Sequence, residues 1–164
     1  MNDNPVVPEI DENQLSLHQD FAEIKLNTWK FRLGRQELLY GNNRLITLRE
    51  GPNTRQTFDG IVIKRSLKNG SIDFFAVSKV ISKQFVFDDE HFNEELIGIY
   101  GTQYFSKRKI GLDYFVVNFQ SRLRKYNLQT GFESRQTYGV RLFSNLNKIN
   151  FEVEGLINQA NSMI

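Results

Sequence analysis

The chain has 164 residues and a formal net charge of only +2 at pH 7, with 40% hydrophobic and 13% aromatic residues. This length is enough for one domain with a modest core and extensions. The chain contains no cysteine, which excludes disulfides, cysteine-ligated zinc and thiol catalysis. No apolar run approaches the ~20 residues of a membrane-spanning helix, so the sequence predicts no membrane partner.

Charge is distributed unevenly along the chain. Residues 1–23 contain six acidic residues and no lysine or arginine, whereas the rest contains 21 basic and 13 acidic residues. With Pro5 and Pro8, this composition predicts an extended acidic tail, which is unlike an arginine-rich transit peptide. We therefore predict three regions: the N-terminal tail over residues 1–23, a β-rich domain over residues 24–115, and a C-terminal extension over residues 116–164.

A central β-hairpin is the strongest local signal. Residues 61–63 (IVI) are a β-branched run that favours a strand. Asn69-Gly70 is typical of a type I′ turn, in which both central residues have positive φ. A second apolar strand over residues 72–80 follows. Because glycine is costly inside a strand, Gly60 is predicted to occupy a bulge or a close approach between strands.

The C-terminal part of the sequence predicts more strands and one helix. Residues 113–126 and 136–143 are expected to pair as a hairpin. Residues 150–163 have apolar side chains at positions 151, 153, 156, 157, 160 and 163. With Asn150 as the N-cap, this pattern predicts an amphipathic α-helix. The residues alone therefore predict a mostly β fold with one terminal helix.

Three segments resemble, in the same order, the bacterial-type large-subunit ribosomal protein L-nineteen family. Residues 58–63 (FDGIVI) are similar to its F-E-G-V-V-I run, and residues 75–80 (FAVSKV) to its F-T-V-R-K-I run. Residues 107–115 (KRKIGLDYF) are similar to V-R-K-A-K-L-Y-Y-L. The resemblance spans residues 29–115. It departs from the family pattern at residues 81–87, which lack the family's glycine-rich loop, and at residues 100–103 (YGTQ), which lack both arginines of the family's R-R-G turn.

This resemblance implies a small SH3-like barrel, to which the C-terminal β-hairpin and terminal α-helix are added. It implies a structural protein of the large ribosomal subunit that binds ribosomal RNA near the subunit interface, with a bridge to small-subunit RNA. The acidic tail and residues 116–164 are expected to contact neighbouring ribosomal proteins. The low net charge and the departures from the family pattern point to a mitochondrial ribosome in the matrix, with a plastid or the bacterial cytoplasm as alternatives.

Basic clusters are the candidate RNA contacts. Lysine and arginine on rigid strands and turns can contact phosphates without reading base sequence, although each cluster is equally compatible with a solvated surface. The predicted RNA-binding residues are Arg55, Lys64, Arg65, Lys68, Lys79, Lys107, Arg108, Lys109, Arg122, Arg124 and Lys125.

Nothing in the sequence indicates catalysis. There is no G-x-S-x-G, H-E-x-x-H or P-loop motif. Asp88-Asp89-Glu90-His91 contains metal-ligand residue types, but a solvated acidic turn explains it better than a metal site. We therefore predict no enzyme activity and no cofactor. The alternative function is a soluble β-barrel adaptor outside the ribosome that binds a protein or single-stranded nucleic acid.

Overall fold

Eight β-strands pair antiparallel with their sequence neighbours in a computed structural model of the chain. The structure describes residues 19–41, 56–81, 89–105, 110–126, 129–146 and 149–163. The strands are β1 (Asp20–Leu26), β2 (Trp29–Gln36), β3 (Phe58–Leu67), β4 (Gly70–Ile81), β5 (Asp89–Phe105), β6 (Ile110–Tyr126), β7 (Gln129–Leu146) and β8 (Ile149–Met163).

Together these strands form one open sheet in the order of the sequence. Strands β2 to β7 are paired on both sides, whereas β1 and β8 are each paired on one side only within the described residues. In the same ranges, no helix is long and apolar enough to cross a membrane. The mostly β prediction is confirmed. This sheet does not confirm the SH3-like barrel expected from the resemblance.

Strand β8 occupies the segment that was predicted to be a helix. It pairs with β7 from Phe132↔Met163 to Leu146↔Ile149, so the helix prediction is wrong. Alternate residues of an extended chain share one face, and the apolar residues at 151, 153 and 157 satisfy this period as well as a helical one. Every residue from Ile149 to Met163 has a pairing partner on β7, so this segment is a strand. The hairpin predicted before this segment is confirmed by the pairing of β6 with β7.

The central hairpin is confirmed as strands β3 and β4, but its turn differs from the prediction. The turn residues are Lys68 and Asn69, and Gly70 begins β4. Gly70 is not among the glycines with positive φ. A side chain is excluded there for another reason, because a Cβ atom would lie 2.0 Å from the Thr102 carbonyl oxygen.

The register gives the sheet two chemically different faces. Directly paired residues lie on the same side of a sheet, and alternate residues along a strand lie on opposite sides. One continuous row of paired residues contains Ile63, Phe74, Ile99, Val116, Tyr138 and Ile157. We call the side that carries this row the outer face. All of the row except Ile63 is exposed, and the other exposed large apolar residues of this face include Ile24, Leu26, Phe31, Leu33, Ile61, Ile97, Tyr114, Val140, Leu142, Phe151 and Val153.

The inner face carries the buried side chains of the sheet. The strands contribute Phe58, Phe75, Val77, Tyr100, Phe115 and Val117 to the hydrophobic core. Between them lie the buried polar residues Asp73, Asp113, Ser121 and Glu133. One side of the sheet is therefore apolar and exposed, while the other mixes a packed core with buried charge.

Gly60 lies inside β3 at a point where three strands approach closely. It pairs with Gly34 on β2 and Val77 on β4 without a register shift. Its φ is +152°, which favours glycine, and a Cβ atom would lie 2.3 Å from the Ala76 carbonyl oxygen. The predicted close approach is confirmed, whereas the predicted bulge is not found at this residue.

Gly60→Val is expected to lower the free energy of unfolding by roughly 2–3 kcal/mol, because it combines backbone strain with a steric clash. Gly155→Val on β8 is the matched control, since a Cβ atom there meets nothing within 4 Å. The control should change stability by no more than about 0.5 kcal/mol. Urea unfolding followed by the fluorescence of Trp29 measures both variants. Equal unfolding midpoints would contradict the strained environment of Gly60.

Candidate functional site

After β2 the chain turns back across the inner face. We call residues 37–41 the inward segment. Two of its side chains, Leu38 and Tyr40, are buried, with 4% and 8% of their surface exposed, and both belong to the hydrophobic core of the sheet. The segment is therefore packed against the inner face.

Aromatic stacking ties the inward segment to three strands. The ring of Tyr40 stacks on Phe75 of β4 and Tyr100 of β5, with centroid distances of 5.1 and 4.8 Å. Tyr100 in turn stacks on Phe115 of β6 at 5.6 Å. Aromatic pairs of this kind contribute roughly 0.5–1.5 kcal/mol beyond the burial of their area. Tyr40 is thus the main anchor of the segment.

Hydrogen bonds hold the polar ends of these rings. The Tyr40 hydroxyl donates to Asp73 Oδ2 at 3.2 Å, and the backbone N–H of Gly41 donates to the Tyr100 hydroxyl oxygen at 3.2 Å. The Tyr100 hydroxyl donates to Asp113 Oδ2 at 2.6 Å. Burial raises the pKa of Tyr40, and the negative charge of Asp73 raises it further. The Tyr40 phenol therefore keeps its proton and stays a hydrogen-bond donor.

Arg141 completes this network at the side away from the inward segment. Its Nε donates to Asp113 Oδ2 at 2.8 Å, and its Nη1 lies 3.5 Å from Glu152 Oε1. Thr102 Oγ1 donates to the other oxygen of Asp113 at 2.7 Å. Asp113 is only 1% exposed, and a carboxylate so buried requires a paired cation and hydrogen bonds. Polar contacts therefore run from the inward segment across β5, β6 and β7 to β8.

Other charged side chains line the remainder of the inner face. Glu23 lies 2.7 Å from Arg32, whose guanidinium group also covers the ring of Phe21 at 4.3 Å. Lys79 lies 3.0 Å from Glu94. Among the side chains that the structure describes, no group of three or more His, Cys, Asp or Glu residues could hold a metal ion. The inner face therefore combines its hydrophobic core with ion pairs and hydrogen-bonding groups.

The predicted RNA-binding residues do not share one surface. Lys64 and Lys79 lie on the inner face, where Lys64 is 3.4 Å from Asp73. Arg65 belongs to the outer face and lies over the ring of Trp29 at 5.1 Å.

The other predicted contacts are scattered or fall outside the described residues. Lys68 is exposed in the β3–β4 turn, and Arg122 lies 3.3 Å from Glu95. Outside the described part of the chain lie Arg55, Asp88, Lys107, Arg108 and Lys109, and also the side chains of Arg124 and Lys125. Strand β5 begins with Asp89, Glu90 and His91, whose side chains are not described, so the acidic turn expected there is wrong.

The sequence model of a family described as Alginate export matches residues 3–159, which is nearly the whole chain. The chain belongs to the alginate export family. No curated protein and no solved structure matches it.

Membership of the alginate export family corrects the ribosomal interpretation. The resemblance to the L-nineteen family is wrong. The proposed roles in the large subunit and in translation are therefore wrong, as are the ribosomal RNA and ribosomal-protein partners and the placement in mitochondrion, plastid or bacterial cytoplasm. Two of the three resembling segments, residues 58–63 and 75–80, are short runs of the paired strands β3 and β4. Such runs occur in many unrelated sheets. RNA binding by the individual basic side chains stays a prediction, and no particular RNA is proposed for it.

Sequence reasoning did not find the residues that hold the inward segment in this alginate export family member. No recognisable sequence motif contains Tyr40, Asp73, Tyr100 or Arg141. Asp113 had no sequence signal either, because residues 114–117 (YFVV) are all apolar. The alternation of buried positions 113, 115 and 117 with exposed positions 114 and 116 is seen only in the structure.

Arg141→Leu is expected to lower the free energy of unfolding by roughly 3–5 kcal/mol, because it leaves the buried Asp113 carboxylate without its cation. Arg122→Leu is the matched control. Its side chain is 64% exposed beside Glu95, and exposed ion pairs contribute only about 0–1 kcal/mol. Chemical denaturation of the two variants measures the difference. A loss for Arg141→Leu no larger than that for Arg122→Leu would overturn the central role of the Asp113 pair.

Proposed function

We propose that the chain forms the wall of a β-barrel in the bacterial outer membrane, through which alginate leaves the cell without any catalytic step. Family membership supports alginate as the substrate. The observation that carries the proposal is the contrast between an exposed apolar outer face and an inner face with buried charge. Strands of outer-membrane barrels alternate in this way, with apolar residues toward lipid and polar residues toward the interior.

Strand length is consistent with this proposal. A tilted strand needs about 9–11 residues to cross a bilayer. Strands β3 and β4 have 10 and 12 residues, and β5 to β8 have 17, 17, 18 and 15. Strands β1 and β2 are shorter, with 7 and 8 residues. The six longer strands can therefore span the hydrocarbon region, and four of them can extend beyond it.

The apolar band of the outer face has a polar border. One row of paired outer residues consists of Ser78, Glu95, Gln120, Ser134 and Asn161. On β6 to β8 the neighbouring outer row is polar too, with Asn118, Gln136 and Gln159, whereas on β3 to β5 it is apolar, with Ile61, Ala76 and Ile97. The polar side chains can lie at the level of the lipid headgroups, while the apolar row from Ile63 to Ile157 contacts the acyl chains. A polar row at the headgroup level would fix the depth at which the sheet lies in the membrane.

A sheet in the membrane needs partners for the free edges of β1 and β8. Unpaired backbone N–H and C=O groups are costly in a bilayer, and barrels avoid this cost by closing. In the membrane, the edges of β1 and β8 therefore pair with each other or with additional strands.

The inner face of β1 to β3 suits an acidic polysaccharide. It carries four basic residues, Lys25, Lys30, Arg32 and Lys64, against one acid, Glu23. Every sugar of alginate carries a carboxylate, and a cation-rich wall raises the local concentration of an anionic solute. We infer that the polymer passes along this side of the interior.

The function can be tested with lipid vesicles that contain the purified chain and labelled polymannuronate. We expect the protein to float with the vesicles and to release polymannuronate faster than it releases neutral dextran of equal length. Protein-free vesicles, which should retain both polymers, are the control. A chain that stays in the aqueous fraction after flotation would overturn the proposal.

Ile157→Arg and Asn158→Arg test the orientation of the two faces with adjacent residues of β8. Ile157 is 71% exposed on the outer face, and arginine on the lipid side is expected to cost roughly 2–4 kcal/mol near the bilayer midplane. Asn158 lies on the inner face, where arginine remains in water and should cost little. Urea unfolding from lipid vesicles measures both variants. A larger loss for Asn158→Arg would reverse the assignment of the faces.

A further inference from the structure

A groove of about 470 Å³ lies on the outer face across strands β2 to β5. Clefts of roughly 300–1,000 Å³ are typical of small-molecule sites. The side chains that line the groove come from two neighbouring rows of paired outer residues. The first row is apolar and consists of Leu33, Ile61, Ala76 and Ile97. Because the side chain of Ala76 is much smaller than those of Ile61 and Ile97 on either side, it leaves a depression in the apolar band.

The second row belongs to the polar border of the outer face and consists of Asp59, Ser78 and Glu95. The carboxylate of Asp59 is already satisfied, since its two oxygens accept hydrogen bonds from Arg35 at 2.9 and 2.8 Å. The side chains of Arg35 and Asp59 are only 10% and 13% exposed. This pair therefore offers little to a charged ligand.

Glu95 carries the carboxylate that a ligand can reach. Its Oε1 accepts a hydrogen bond from Nη2 of Arg122 at 3.3 Å, which is long for a charge-assisted bond. The side chain of Glu95 is 28% exposed and that of Arg122 is 64% exposed. A cation can therefore bind Glu95 while an anion binds Arg122, and no buried interaction is broken.

These features select an amphiphile with three parts. The apolar row accepts a hydrocarbon chain, Glu95 an ammonium group and Arg122 a phosphate. Phosphatidylethanolamine contains all three. We propose that the groove binds an acyl chain of one phosphatidylethanolamine molecule, with the headgroup held by Glu95 and Arg122. This lipid site rests on the proposed placement of the outer face in a membrane.

The headgroup contacts distinguish this lipid from other phospholipids. A primary ammonium group has three N–H donors for a carboxylate, whereas the quaternary nitrogen of phosphatidylcholine has none. The anionic headgroup of phosphatidylglycerol brings no cation to Glu95. Glu95 therefore sets the headgroup preference, and Ala76 makes room for the acyl chain.

Native mass spectrometry of the full chain tests this site. The chain is released from detergent micelles that contain equal amounts of dioleoyl phosphatidylethanolamine and dioleoyl phosphatidylcholine. It should retain phosphatidylethanolamine at least about threefold more than phosphatidylcholine, because only the ammonium forms charge-assisted hydrogen bonds with Glu95. Glycerophosphoethanolamine, which has the same headgroup without acyl chains, should not be retained. Equal retention of the two lipids by the parent chain would overturn the proposal.

Ala76→Leu tests the depression that accepts the acyl chain. The larger side chain fills the depression and should reduce the retention of both lipids. Ala22→Leu is the matched control, because Ala22 is exposed and pairs with Leu33 in the same apolar row but does not line the groove. The control should retain both lipids as the parent does.

Glu95→Gln tests the headgroup contact. It should abolish the preference for phosphatidylethanolamine, since phosphate binding by Arg122 is common to both lipids. Glu94→Gln is the matched control on the inner face, where Glu94 lies 3.0 Å from Lys79, and it should keep the preference.

Unfolding midpoints in the same micelles show whether each variant stays folded. Unchanged retention by folded Ala76→Leu, or an unchanged preference in Glu95→Gln, would contradict the lipid site. A parent dimer that Ala76→Leu separates would also overturn it, because a second copy would then occupy the groove. A parent that releases polymannuronate from vesicles but shows no lipid preference would overturn the lipid site and leave the export function intact. A parent that does not float with vesicles would overturn both.

Discussion

The continuous antiparallel register of the sheet is the constraint on which the other features depend. Because each strand pairs directly with its sequence neighbours, a residue placed on one face fixes the face of its partners across all eight strands. A slip by one residue would turn every side chain of a strand to the wrong side. The two register shifts, between Ser78 and Val80 and between Ser121 and Arg124, lie beside the polar border of the outer face. The apolar band itself keeps an unbroken register.

The contacts on the inner face depend on this register. Asp73, Tyr100 and Asp113 come from three neighbouring strands, and the alternation brings them to the same side. Only there can they receive Tyr40 and the backbone of Gly41 from the inward segment. One arrangement thus stabilises the buried carboxylates and fixes the inward segment.

Part of this structure could be predicted from the sequence, and the reasons for the failures are physical. Strand runs such as residues 61–63 are strong local signals, and the close approach at Gly60 follows from the cost of glycine in a strand. The helix predicted over residues 150–163 failed because a few apolar residues satisfy both periods, and the pairing with β7 is non-local. The network around the inward segment could not be predicted, since Tyr40, Asp73 and Tyr100 come together only through the pairing of strands. Strands of a sheet with one apolar face also give weak signals, because only about every second residue needs to be apolar.

Spin labels on β8 provide the most direct test of the central claim, that one face of the sheet contacts lipid. The chain has no cysteine, so single cysteines at positions 151 to 158 can each carry a label in vesicles, and most of these side chains are exposed. The account predicts a period of two. Labels at 151, 153, 155 and 157 should collide mainly with oxygen dissolved in the acyl chains, and labels at 152, 154, 156 and 158 mainly with a water-soluble nickel complex. Uniform access to the nickel complex at all eight positions would contradict it.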